Sequence, residues 1–414
     1  MSNFLSRIGI EIEKKIFSFL LIFLIIFLGI DLVTIIMGQI SVCPVIIWYL
    51  IPLIISLIVA GVIIDKVGKR SIFLLLLIPE GLLTLVLGFN VTNPTASVIL
   101  WIFIGIFSGF SISSLLGFFV DTTELEHRGK VAGFIGGIAW LVAGVVLSYS
   151  ISSIFSASIL MFAFAVIKLV GGGMAIYILF AKVEEKKDII KHQSTSQGFI
   201  SYLKSSYGFL WADKKYIIYL IAFVMVWVAQ GIFMPIGGLG QAPPQNYQQI
   251  ASIGFAAGGI FLILSGFLID EKGRKEVLIY GAILAAISFI SYYFPLGAVF
   301  LSGLPVLLTT IIVLLGDIAP SDAKARYYSV FLLFSLLAFL IGYIIGIIIT
   351  PSQWVALGCI IITAFALLLI FLKGAKSPEP QDLAFKERTT STITTPEFAP
   401  SEKVPSEPTF TDET

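Results

Sequence analysis

The sequence predicts an all-α polytopic membrane protein of twelve transmembrane helices in two six-helix bundles. Three observations predict it: an extremely apolar composition, the number and length of the apolar runs, and a strict alternation of charge between their connections. Hydrophobic residues make up 58% of the chain and charged residues only 12%, with a mean hydropathy of +1.02. Soluble domains carry about a quarter of their residues as Asp, Glu, Lys and Arg, so a soluble fold of this composition would leave most of its surface uncharged. The length of 414 residues therefore counts membrane spans, each needing about 20 mostly apolar residues.

Runs of that length lie at 16–38, 44–64, 71–89, 98–120, 131–151 and 157–180, and again at 216–236, 250–269, 276–294, 298–316, 327–349 and 354–373. They are spans 1–12. The first follows Lys14 and Lys15 but is too long for a signal-peptide core and lacks a small-residue cleavage site. The connections at 39–43, 89–97, 149–156, 237–249, 294–298 and 350–353 hold no charged residue and no His, whereas the alternate ones hold Lys66, Lys69, Arg70, Arg128, Lys130, Lys272, Arg274, Lys275, Lys324 and Arg326. The positive-inside rule then puts both termini in the cytoplasm of a multi-pass protein of the cell membrane.

Residues 1–181 are expected to form the first bundle and 216–375 the second. The linker at 182–215 carries a charged run and then Phe199, Tyr202, Leu203, Tyr207 and Leu210 at near-helical spacing, which suggests a short helix on the inner membrane surface. Residues 376–414 are rich in Pro, Ser, Thr and Glu and read as a disordered cytoplasmic tail. Cys43 and Cys359 have no metal-ligand spacing and no evident mate, and His127 and His192 read as solvated loop residues. No cofactor, metal or nucleic-acid partner is expected, no catalytic constellation lies within the spans, and the chain is expected to act as a monomer in the lipid bilayer.

A motif is duplicated at matching positions. Gly61, Asp65, Lys66, Gly68, Lys69 and Arg70 close span 2, and Gly266, Asp270, Gly273, Arg274 and Lys275 close span 8 in the same G-x-x-x-D-x-x-G-basic-basic order. Two helices later, Asp121, Glu124 and Arg128 are mirrored by Asp317, Asp322 and Arg326. Gly61 and Gly266 would let a neighbouring helix approach closely. Asp65 could meet the N-terminus of a facing helix, where unpaired N–H groups and the helix dipole favour an anion. Gly68 and Gly273 permit a tight turn, and Asp121 is the candidate partner for the basic residues. The copies differ at Lys66 and Glu271, and an acid beside Asp270 should weaken the second copy or demand another partner.

On these residues the chain resembles the major facilitator superfamily over about residues 10–375. The resemblance implies two bundles, each a pair of inverted three-helix repeats, with spans 1, 4, 7 and 10 lining a central cavity. It also implies that the duplicated loop is a cytoplasmic latch holding the halves together while the cavity faces outward. The function so implied is secondary transport of a small, neutral or weakly charged organic solute by alternating access, with or without proton coupling. A facilitative uniporter, and a transporter-like sensor or scaffold acting through its tail, are the alternatives.

Three ionisable residues are expected to be buried within the spans, Asp31, Glu80 and Lys168, all in the first half. A charge at the bilayer centre costs about 2.5–3.5 kcal/mol or more, so each needs a partner, water or a shifted protonation equilibrium. Asp31 on span 1 lies about 22 Å from its inner end. The resemblance implies a proton-coupling role for an acid there; the other reading leaves it wet in the outer mouth. Glu80 and Lys168 lie about 14 and 18 Å from the inner ends of spans 3 and 6. They suit a buried ion pair, although Glu80 could carry a proton and Lys168 could attract an anionic substrate. Pro79 removes a helix hydrogen bond and leaves a carbonyl one turn back needing a donor. Thr34, Trp140, Trp227 and Gln230 are candidate substrate-cavity residues, with Ser111, Ser114, Thr309 and Thr310 as weaker ones.

Overall fold

The computed structural model describes residues 44–67, 71–151, 157–180, 214–233, 247–288, 302–319 and 323–348, and a few others including 207 and 208. Asp31, Thr34, Gly68, Lys69, Arg70, the side chain of Gln230, nearly all of the linker and the whole tail lie outside the described residues.

The described chain is helical throughout its spans. Helix α1 is Pro44–Val67, α2 Ser71–Leu74, α3 Leu77–Asn90, α4 Pro94–Thr122, α5 Arg128–Ile151 and α6 Ala157–Phe180. The second half contributes α7 Lys214–Phe233, α8 Tyr247–Glu271, α9 Arg274–Ser288, α10 Gly303–Ile318 and α11 Lys324–Ile348. Thus α1 is span 2, and α3 to α11 are spans 3 to 11. Among the described residues six helices, such as Pro94–Thr122 and Ile253–Glu271, are long and apolar enough to cross a membrane.

Local chemistry sets the ends. The side chain of Asn93 accepts from the Ala96 N–H at 3.2 Å and Pro94 stands at the first helical position, a pairing of N-cap and N1 residues that starts a helix sharply. Span 3 is broken where Pro79 predicts trouble. With no N–H at Pro79, the Leu75 carbonyl accepts from the Ile78 N–H at 3.0 Å instead, and the tight turn at 75–76 separates α2 from α3. The freed carbonyl is satisfied inside its own helix and needs no external donor.

Within the first half α1 packs on α4 and α3 on α6; within the second, α7 packs on α11 and α9 on α10. Without a hydrophobic force between helices in lipid, close backbone approach has to hold them. At Gly231 an added Cβ would lie 2.2 Å from the Phe339 carbonyl, and at Gly342 2.0 Å from that of Val228. The most extensive pairings across the halves are α5 with α8 and α1 with α11. Large apolar side chains such as Ile55, Phe89, Val170 and Ile344 face outward, as lipid-facing residues do.

Candidate functional site

Asp65 ends α1 against the start of α11. Its carboxylate accepts from the backbone N–H groups of Ala325 at 3.1 Å and Arg326 at 3.0 Å, and from Arg326 Nε at 3.1 Å. These N–H groups open α11 and have no intrahelical acceptor, so the anion satisfies them and complements the positive end of the helix dipole. Beside it Asp121, at the end of α4, accepts from Lys324 Nζ at 2.8 Å. The expected basic partners Lys69 and Arg70 lie outside the described residues; the partner found for Asp121 comes from the other half.

The second copy repeats the arrangement with the halves exchanged. Asp270 ends α8 and accepts from the N–H groups of Gly129 at 3.0 Å and Lys130 at 2.8 Å, which open α5. Asp317, at the end of α10, accepts from Arg274 Nε at 2.8 Å and from Arg128 Nη1. Arg128 also donates to the carbonyls of Val120 at 3.1 Å and Thr123 at 3.2 Å, closing the end of α4. Arg274 reaches across to the Leu125 carbonyl at 3.2 Å, and Gly273, at φ 107°, makes the turn that places it. Side chains at the first carbon would be strained there.

Each half thus offers carboxylates to the other's helix starts. The pairing corrects the register of the second repeat: Lys324 stands where Arg128 stands, and Arg326 matches Lys130. Glu271 is exposed, where solvent screens it, while Asp270 is 3% exposed and lies 3.6 Å from Arg274.

The packing beneath these ion pairs leaves no spare room. An added Cβ at Gly133 of α5 would lie 2.5 Å from the Gly266 Cα of α8, and one at Gly61 would lie 2.7 Å from Ser329 Oγ of α11. Ser329 donates to Ser113 Oγ of α4 at 2.9 Å, again across the halves.

Inside the spans, Lys168 Nζ donates to Glu80 Oε1 at 2.6 Å, with both side chains at most 2% exposed. Ser108 of α4 donates to the same oxygen at 3.0 Å. This joins α3, α6 and α4 within one half. Trp140 stacks on Phe255 of α8 at 5.0 Å, and an added Cβ at Gly258 would lie 2.4 Å from its Nε1, so Trp140 occupies the α5–α8 seam. Trp227 meets Phe223 and Phe339 edge-on. Among the described residues the indole N–H groups of both tryptophans and the Ser111 hydroxyl are buried without a hydrogen-bond partner, as is Nδ1 of His127, which stands half-buried in the turn between α4 and α5. Thr310 bonds its own helix at the Val306 carbonyl at 2.7 Å. Among the described residues no cluster of three or more His, Cys, Asp or Glu could hold a metal ion.

The residues of this site that the duplicated motif does not name are Lys324, Ser108, Ser113 and Ser329. One signal was available for Lys324: the interval that separates Asp121 from Asp317 also separates Arg128 from Lys324 and Lys130 from Arg326.

The family model for the Major Facilitator Superfamily matches residues 3–242 and 238–408. No curated protein matches the chain significantly. Among solved structures, an E. coli fucose:proton symporter aligns with a TM-score of 0.63 at 14% identity, covering 86% of this chain and 98% of that one. A proton:xylose symporter aligns at 0.61 and 15% identity, covering 90% and 98%. A bacterial homologue of the iron transporter ferroportin, in an outward-facing state, aligns at 0.64 and 12% identity, covering 87% and 98%.

Proposed function

This chain belongs to the major facilitator superfamily, and from that premise we propose that it carries a small, neutral or weakly charged organic solute across the cell membrane by alternating access. The crossed latch carries the reading. Carboxylates of each half cap helix starts of the other at one end of the molecule, so that end opens only when both sets of contacts break together. The charged loops put this end in the cytoplasm, and the cavity then faces outward while the latch holds.

The proton, in this reading, is carried by Asp31. Glu80 is held by Lys168 and Ser108 and is better suited to fixing α3, α4 and α6 than to releasing a proton in each cycle. Trp227, Gln230 and Thr34 are assigned to the solute. The indole N–H of Trp227, without a partner among the described residues, supports this, because a buried donor without an acceptor costs about 1–3 kcal/mol and an acceptor oxygen on the solute would offset it.

Purified protein in liposomes, screened for uptake with and without an inward proton gradient, tests the proposal. One solute class is expected to enter and to accumulate only under the gradient. Asp31→Asn should abolish accumulation while sparing exchange. Equal flux with and without the gradient would establish a uniporter and remove Asp31 from the mechanism; no flux of any class would overturn the transport reading.

A further inference from the structure

The two helix starts that receive a carboxylate from the other half are not built alike. His127 immediately precedes Arg128, the first residue of α5, and its carbonyl accepts from the Val131 N–H at 3.0 Å. It therefore holds the N-cap position, from which a side-chain acceptor ordinarily takes the N–H of the second or third helical residue. In α5 those residues are Gly129 and Lys130, and both N–H groups are already taken by Asp270 of α8, at 3.0 and 2.8 Å. The imidazole is left over: its Nδ1 is buried and has no hydrogen-bond partner among the described residues. Nδ1 stands as many bonds from the backbone as the side-chain oxygens of Asn and Asp, and in the tautomer protonated at Nε2 it is an acceptor. The interval of the repeat places Ala323 where His127 stands. Ala323 also holds an N-cap position, its carbonyl accepting from the Tyr327 N–H at 3.0 Å, but its methyl group can cap nothing.

We propose that His127 is a spare cap, which takes over the start of α5 when Asp270 withdraws and so stabilises the open state of the second latch. The proposal rests on the latch being a gate, as argued above, and adds a positioning residue outside the duplicated motif. While the end is closed, Asp270 satisfies the Gly129 and Lys130 N–H groups and complements the helix dipole, and the imidazole contributes no hydrogen bond there. Once α8 moves away, the first turn of α5 loses both acceptors. His127 is the residue whose side chain can then accept from one of the freed N–H groups without any further change in the fold. The first latch has no such substitute, because Ala323 leaves the start of α11 to water when Asp65 departs. The two copies thus differ in what replaces the carboxylate once it is gone.

The experiment uses the full chain with Cys43 and Cys359 replaced by Ser, and a single reporter, Ile269→Cys. Ile269 is fully buried in the closed end, with its Cγ2 2.6 Å from where a Cβ on Gly129 would be. A membrane-impermeant thiol reagent is applied from the charged side. A side-chain cap stabilises a helix start by a factor of about two to thirty. His127→Ala and His127→Phe both lack an acceptor and are expected to label more slowly than the parent by that factor. His127→Asn restores a cap and should label at the parent's rate or faster. The order separates capping from packing: a side chain that only fills space would leave the Phe variant like the parent and the Asn variant like the Ala variant, and that order would overturn the proposal. Asp270→Ala is measured alongside and should label faster than the parent. If it does and all three His127 variants label at the parent's rate, the spare cap is wrong and the latch stands. If Asp270→Ala does not label faster, the latch reading fails and the proposal falls with it.

Discussion

Gly133→Ala adds one methyl group where α5 lies directly against the backbone of α8. Its Cβ would lie 2.5 Å from Gly266 Cα, 2.6 Å from the Leu262 carbonyl oxygen and 2.8 Å from Gly266 N. All three are backbone atoms of α8, so no side-chain rotation relieves the clash. Helices α5 and α8 must move apart by about 1 Å to restore ordinary contact, and a close-packed interface resists such a shift. Overpacking of this kind costs about 1–3 kcal/mol. The cost falls on the closed end alone, because separating the helices removes it, and it therefore favours opening about 5- to 150-fold. Gly136→Ala, three residues further along the same helix, supplies the control: its Cβ would meet Thr309 Oγ1 at 3.7 Å, an ordinary contact. The assay is the labelling rate of Ile269→Cys, a fully buried position on α8, in the background lacking Cys43 and Cys359. Gly133→Ala should label faster than the parent and Gly136→Ala at the parent's rate. Equal rates for all three would refute the claim that the α5–α8 seam separates in the working cycle.

Two further outcomes follow from the ion pairs. Glu80→Gln and Lys168→Met should each lower thermal stability in detergent, by about 3–5 kcal/mol, because each strands a buried charge. The double substitution should recover most of that loss and keep transport, whereas a double variant that melts normally but has lost all flux would return Glu80 to the coupling mechanism. Asp317→Asn removes the partner of both Arg128 and Arg274, whereas Asp121→Asn removes that of Lys324. Ile269→Cys should therefore label faster in the Asp317 variant than in the Asp121 variant; the reverse order would show that Asp317 is not the hub of the second latch.

The membrane fold was legible because its causes are local. An apolar run of spanning length and a basic loop are properties of neighbouring residues, and the duplicated Gly61 and Gly266 segments announce a repeat without any tertiary knowledge. Pro79 likewise marked the break in span 3, although the sequence could not show that Leu75 would find its donor at Ile78. The crossing of charges was not legible in this way. Asp121 and Lys324, or Asp317 and Arg128, are far apart in the chain, and nothing in either segment says that a helix end in one half meets a helix start in the other. Glu271 is adjacent to Asp270 in sequence but not in direction: it is exposed, while the Asp270 carboxylate accepts from the N–H groups that open α5. Trp140 has the residue type of a cavity wall, yet its neighbours Phe255 and Gly258 put it in the seam.

The central claim is that the two halves part at the charged end in every transport cycle. Ser113 and Ser329 face each other across the halves with their hydroxyl oxygens 2.9 Å apart, and replacing both with Cys in the background lacking Cys43 and Cys359 places two thiols within disulfide reach. Uptake into liposomes of a solute found by the screen is then measured before oxidation, after it, and after reduction. The account predicts that oxidation stops uptake and that reduction restores it. Undiminished uptake through protein whose disulfide has fully formed would contradict it.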